Sequence, residues 1–158
     1  MKNIKICSET QTLTVFDGGA VVQSYSISTG KNGMGELEGS EKTPRGLHQI
    51  RAKIGSGCVP NTVFVGRRPT GEVYCREMRE THPGSDWILT RILWLSGLEP
   101  GMNRWGDVDT MRRYVYIHGS PDDVAMGQPG SRGCIRMRNS DIIELFELIE
   151  VGIRIEIS

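Results

Sequence analysis

His118 and Cys134 are the two residues of this chain best suited to covalent chemistry. Cys134 stands in the run Ser131-Arg132-Gly133-Cys134-Ile135-Arg136-Met137, and His118 ends an apolar run, Val115-Tyr116-Ile117-His118, sixteen positions earlier. The thiolate, not the thiol, attacks a carbonyl. A reactive cysteine therefore needs a base, and a neutral imidazole can take its proton. Ser131 and Gly133 permit a sharp turn, which can aim backbone N–H groups at a developing oxyanion. Gly119, directly after His118, allows close approach of a neighbouring group.

Each residue also has a structural reading. Cys134 reads equally as a buried cysteine in a tight turn, and His118 alone as a strand-end histidine bonded to backbone. Their pairing favours chemistry. Arg132, Arg136 and Arg138 crowd the cysteine. Positive charge lowers a thiol pKa, and guanidinium groups grip carboxylates through paired hydrogen bonds. An acidic, peptide-like substrate follows, with Arg138 read as a solvated edge. His48 reads as a packing or rim residue in a strand, and His82, before Pro83, as solvated. No His or Cys pair has the short spacing of a zinc site, so no metal and no cofactor are expected.

The elements that must position this pair are mainly strands. Asn3–Cys7 alternates, and Thr12–Phe16 leads through Asp17-Gly18-Gly19, a hairpin turn, into Ala20–Ser28. The Gly- and Glu-rich stretch to Ser40 reads as mobile. Thr43-Pro44-Arg45-Gly46 is a second turn, ahead of a strand over Leu47–Ile50. Val63–Val65 and Glu72–Cys75 read as short strands, with residues 67–71 as their hairpin loop. Trp87–Leu95 fits a strand or a short helix equally well by pattern; its isoleucines and tryptophans favour the strand. Tyr114–His118 is a strand with Tyr114, Tyr116 and His118 on one face and Val115 and Ile117 on the other. The sole helix read from the pattern spans Ser140–Glu150, capped by Asn139 or Ser140. Its stripe is Ile142, Ile143, Leu145, Phe146 and Ile149, and Gly152 closes it. Ile153, Ile155 and Ile157 then alternate as a last strand. The sum is a mainly β, mostly antiparallel single domain over residues 1–158, with one helix near the C-terminus.

Bulk properties bound the function. The chain has 158 residues, with 19 basic and 19 acidic side chains. That length gives a real core without disulfides. The balance leaves no net field for nucleic acid or an anionic membrane. Of the four cysteines, Cys7, Cys58 and Cys75 read as plain thiols. No apolar run approaches the ~20 residues of a membrane span. The N-terminal residues lack the apolar segment of a secretory signal. If Met1 is the natural start, the expected compartment is the cytoplasm; if a signal once preceded it, the periplasm.

Around these residues the chain resembles the YkuD-type L,D-transpeptidase catalytic domain, whose signature is a histidine, a spacer, then Ser/Thr-His-Gly-Cys and an apolar residue. His118, the spacer and Ser131-Arg132-Gly133-Cys134-Ile135 match in order and spacing. The Thr43-Pro44-x-Gly46 turn and the run into Ser28-Thr29-Gly30 resemble the family's N-terminal half. Two positions depart from it. Arg132 replaces the usual histidine, and His48 stands where an aromatic is common.

The resemblance implies a YkuD-like β-sandwich and acyl transfer on peptidoglycan stem tetrapeptides or muropeptides. Cys134 would attack the carbonyl of the third-residue diamino acid and expel D-alanine, with His118 as base. Gly133 and Cys134 amides, with Ser131 and Arg132 in the loop, would hold the oxyanion. Arg136 would bind a substrate carboxylate, with Gly119 beside it, and a backbone carbonyl would orient His118. Water as acceptor gives an L,D-carboxypeptidase, expected for a cytoplasmic enzyme of muropeptide recycling. An amine gives a transpeptidase forming 3–3 cross-links. A silent stem-peptide binder, a zinc hydrolase and an unrelated Cys/His peptidase are the competing classes.

Overall fold

The computed structural model describes residues 1–158. In chain order the elements are β1 (Lys2–Cys7), β2 (Thr12–Asp17), β3 (Ala20–Ser26), β4 (Gly46–Ile54), β5 (Thr62–Val65), β6 (Arg68–Val73), α1 (Arg76–Thr81), β7 (Leu89–Gly97), β8 (Tyr116–Ser120), β9 (Ile135–Arg138), α2 (Asn139–Leu148) and β10 (Arg154–Ile157). The strands form one curled ten-stranded sheet in the order β3-β2-β1-β10-β4-β7-β5-β6, with β8 and β9 branching from β7. Pairing is antiparallel except at β1–β10 and β8–β9. This is the mainly β architecture expected from the alternating patterns.

The curl encloses a core of 19 buried apolar residues, drawn from β1, β2, β3, β4, β7, β8, β9 and β10, their flanking residues and α2. The apolar stripe of α2 closes it, through Ile142, Leu145 and Phe146, with Ile149 just beyond. A strand alternates its side chains between faces, so β1 buries Ile4 and Ile6 while Lys5 stays exposed.

Several boundaries differ from the sequence reading. The helix runs Asn139–Leu148, and its N-cap is Arg138 without a side-chain cap bond. Asn139 is turned inward instead. Its Oδ1 accepts from Thr90 Oγ1 at 2.6 Å and its Nδ2 donates to Asn61 Oδ1 at 2.9 Å. Pro69 lies within β6, not in a loop, and the turn itself is Gly66-Arg67. β6 is an exposed edge strand, where a missing N–H does no harm. α1 was not read because it buries nothing and so has no apolar stripe. β8 begins at Tyr116, since Tyr114 has a positive φ of 56°. The stretch expected to be mobile is tied to Arg113, which donates to Gly35 O and Ser40 Oγ.

Candidate active site

The β8–β9 register builds the site. Ile117 pairs with Ile135, and His118 with Arg136. Aligned residues of parallel strands point the same way. The odd positions Val115, Ile117, Ile135 and Met137 therefore enter the core. The even positions Tyr116, His118 and Arg136 share the opposite face. Cys134, one residue before β9, keeps this phase. Its Sγ accepts a hydrogen bond from Tyr116 N–H at 3.3 Å. The sulfur thus lies level with Tyr116, two residues along the strand from His118, a spacing of ~7 Å between backbone positions. It packs against the cluster of Phe64, Ile92 and Tyr116.

His118 is fully buried. Its Nδ1 lies 2.6 Å from Gly119 O. A carbonyl only accepts, so Nδ1 carries the proton and Nε2 keeps a lone pair. Nε2 is buried without a hydrogen-bond partner. Burial holds the His118 pKa below the ordinary imidazole range, against the opposing pull of Asp86. Burial likewise pushes the half-buried Cys134 thiol up to about 12, although the Tyr116 N–H bond acts the other way. The resting pair is a neutral thiol and a neutral imidazole, not the arginine-activated thiolate that the surrounding charges suggest from sequence.

The Ser131–Cys134 turn is fixed from two sides. Ser131 Oγ donates to Cys134 O at 2.5 Å and accepts from Gly133 N–H at 3.1 Å. Buried Thr43 donates to Gly133 O at 2.9 Å and accepts from Gly30 N–H at 2.8 Å. Gly133 takes a φ of +118°, and a Cβ there would stand 3.1 Å from Lys42 O. Both the dihedral and the space demand glycine. With Gly133 N–H engaged by Ser131, the N–H groups of Arg132 and Cys134 are the free donors of this turn.

The other expected site residues fall differently. Gly119 is buried, and a Cβ on it would clash with Asn139 Oδ1 and Leu89 O at 2.5 and 2.6 Å. Its carbonyl holds His118 Nδ1. Arg136 bonds Asp86 at 2.9 Å and Gly130 O at 3.0 Å. Its guanidinium is occupied rather than presented. Arg132 is exposed and donates to Gly84 O. Arg138 is solvated beside Asp141, as expected. His48 is buried between Gly46 O and Thr110 Oγ1, and His82 is exposed. No group of three or more His, Cys, Asp or Glu side chains gathers as a metal site would require.

A cleft of about 510 Å³ opens onto the sulfur. Sequence reasoning missed several of its walls: Asp86, Arg67, Arg113, Tyr114 and Tyr116. Burial opposes ionisation of Asp86, yet nearby His118 and the Arg136 hydrogen bond hold its carboxyl below the usual range. Asp86 stands in a polar loop, and nothing local to it in sequence signals this proximity. Tyr116 was legible, because it shares the parity of His118.

The family model of the YkuD L,D-transpeptidase catalytic domain matches residues 3–157. The chain is 27% identical over 149 residues to the putative L,D-transpeptidase YqjB of Bacillus subtilis, covering 94% of this chain and 66% of YqjB. It is 32% identical over 90 residues to the putative L,D-transpeptidase YkuD of the same organism, covering 57% of this chain and 44% of that one. The chain therefore spans about half to two-thirds of these relatives' length. Its structure aligns with L,D-transpeptidase 3 from Mycobacterium tuberculosis at a TM-score of 0.61 and 14% identity, over 99% of this chain and 60% of that one. The L,D-transpeptidase from Mycobacterium smegmatis aligns at 0.58 and 19%, over 99% and 58%. At such identities these likenesses speak to fold alone. The near-complete family match settles membership: this chain belongs to the YkuD family of L,D-transpeptidase catalytic domains.

Proposed function

We propose that this protein is a cysteine acyl-transfer enzyme acting on peptidoglycan stem tetrapeptides. It cleaves the L,D bond between the third-residue diamino acid and the terminal D-alanine. The observation that carries this reading is the unpartnered Nε2 of buried His118 on the strand face that also presents the Cys134 thiol.

The neutral resting pair sets the order of events. As Sγ approaches the third-residue carbonyl, its proton moves to His118 Nε2, and the sulfur–carbon bond forms. The Cys134 N–H stabilises the oxyanion. The carbon–nitrogen bond then breaks, the imidazolium returns the proton to the leaving amine, and D-alanine departs. Asp86 stabilises the transient imidazolium, since its charge favours the protonated ring. Arg132 lies on the rim of the loop, and Arg136 holds Asp86 in place.

The acceptor completes the cycle. Water gives the tripeptide and makes the protein an L,D-carboxypeptidase, suited to trimming muropeptides in the cytoplasm. The amine of a second stem gives a 3–3 cross-link, suited to the periplasm. The cleft's volume of about 510 Å³ suits one ligand of modest size. Water needs no second peptide subsite, and we take hydrolysis as the first reading to test. Incubation with a disaccharide-tetrapeptide, followed by mass, distinguishes the outcomes. Loss of one alanine supports hydrolysis, and a dimer supports transpeptidation. Neither product, together with no carbapenem adduct on Cys134, would reject the acyl-transfer reading.

A further inference from the structure

The cleft holds more positive charge than its chemistry uses. Arg67, Arg113 and Arg132 line it, and Asp86 is its acid. Asp86 is already neutralised by Arg136. Arg113 is directed into the 35–42 loop, where Gly35 O, Ser40 Oγ and Lys42 O accept its N–H groups. Arg132 is turned to Gly84 O. Arg67 is different. Its one hydrogen bond goes to a neutral group, the Tyr116 hydroxyl, at 3.0 Å. Its guanidinium lies 4.7 Å from the ring centroids of both Trp94 and Tyr114. It has no carboxylate partner within the protein. Such stacking holds the planar fork still while leaving most of its five N–H donors free.

The position of Arg67 relative to the sulfur is set by Tyr116. That residue's N–H binds Cys134 Sγ, and its hydroxyl binds Arg67. Arg67 and Cys134 thus contact the two ends of one tyrosine, through bonds of 3.0 and 3.3 Å, and both line the same cleft. In a stem tetrapeptide the scissile carbonyl carbon and the terminal carboxylate are separated by one residue, about 3.5 Å. A contact of about 3 Å at each end brings this to about 10 Å, within the reach of the Tyr116 side chain together with its own contacts of 3.3 and 3.0 Å. Arg67 sits at the β5–β6 turn with a φ of +64°, the left-handed conformation that a two-residue hairpin turn requires.

We infer that Arg67, at the tip of the β5–β6 hairpin, anchors the carboxylate of the donor's terminal residue and restricts the enzyme to stems ending in a free acid. This rests on the acyl-transfer reading above and names the substrate feature that the site selects. Arg67 is a specificity residue here, taking the carboxylate-binding task that the sequence assigns to Arg136.

Binding and turnover test it separately. Cys134→Ala protein is titrated by calorimetry with a stem tetrapeptide and with its C-terminal amide. The free acid should bind about tenfold to a hundredfold tighter, the range of a charge-assisted pair. Adding Arg67→Gly should reduce the ratio to near one. Glycine suits the φ of +64°, so this variant keeps its hairpin, and an unchanged melting temperature checks it. Arg67→Lys should retain part of the preference. In the enzyme with Cys134 intact, Arg67→Gly should raise KM far more than it lowers kcat. An unchanged acid-to-amide ratio in Arg67→Gly, or no binding of either peptide, overturns the inference. So does an Arg67 dependence that follows the third-residue side chain when diaminopimelate is exchanged for lysine. Arg67-dependent binding without D-alanine release by the intact enzyme would keep the anchor and reject acyl transfer.

Discussion

The two faces of the β8–β9 pair obey different rules. One presents Val115, Ile117, Ile135 and Met137 to the buried apolar core. The other presents Tyr116, His118, Cys134 and Arg136 to a face that is equally sheltered in places but polar. On the first face only volume and apolarity matter, because dispersion and the hydrophobic effect are nearly directionless. On the second, single atoms matter. His118 Nδ1 has its carbonyl and Nε2 has none, and desolvation moves both the thiol and the imidazole toward neutrality. Burial stabilises one face and keeps the thiol and imidazole of the other uncharged.

This contrast breaks most visibly at the nucleophile. Cys134→Ala should lower D-alanine release from a tetrapeptide by about a thousandfold or more, and His118→Gln should fall nearly as far. Cys134→Ala should leave the melting temperature within a few degrees, because the lost thiol has only two weak polar contacts, with Tyr116 N–H at 3.3 Å and Tyr114 O at 3.5 Å. A comparable loss of stability and activity would mean the two faces are not separable.

The core face should behave in the opposite way. Ile117→Ala removes a fully buried side chain between His118 and Tyr116. It should destabilise the fold by about 2–5 kcal/mol in chemical denaturation. Specific activity per folded molecule at low temperature should fall far less than in either site variant.

A smaller effect tests the link between faces. Thr43→Val leaves Gly133 O and Gly30 N–H without their partner. We expect about 1–3 kcal/mol of lost stability and a reduced kcat, with Thr43→Ser restoring both. Restoration of stability without kcat would show that the nucleophile turn is not what Thr43 controls.

The smallest effect is in pH. Catalysis needs neutral His118, and burial lowers its pKa, so activity should fall only as pH drops well below the ordinary imidazole value. Asp86 favours the protonated ring. Asp86→Asn should therefore move the acid limb of kcat/KM to still lower pH. A limb that moves up would show that Asp86 does not act on His118 through its charge.

Much of this was written locally. The alternation of Asn3–Cys7, of residues 114–118 and of the last isoleucines announces strands, and the 142–149 stripe announces the helix. Period and apolarity are properties of neighbours in sequence. The helix cap was misread because Asn139 answers to Thr90 and Asn61, which are distant in the chain. Arg136 was read as free because its partner, Asp86, lies 50 positions away.

By itself the sequence determined the phase of each strand and the nature of its reactive pair. Parity alone put His118 on a face with Tyr116 and against Ile117, and side-chain chemistry alone made Cys134 its natural partner. Only the tertiary structure decided which groups surround them. Asp86, Thr43 and Arg67 reach the site through register, turn and sheet curl. Charge and desolvation act through space rather than along the chain, and their sum, a neutral thiol and a neutral imidazole on one strand face, exists only once the sheet has closed.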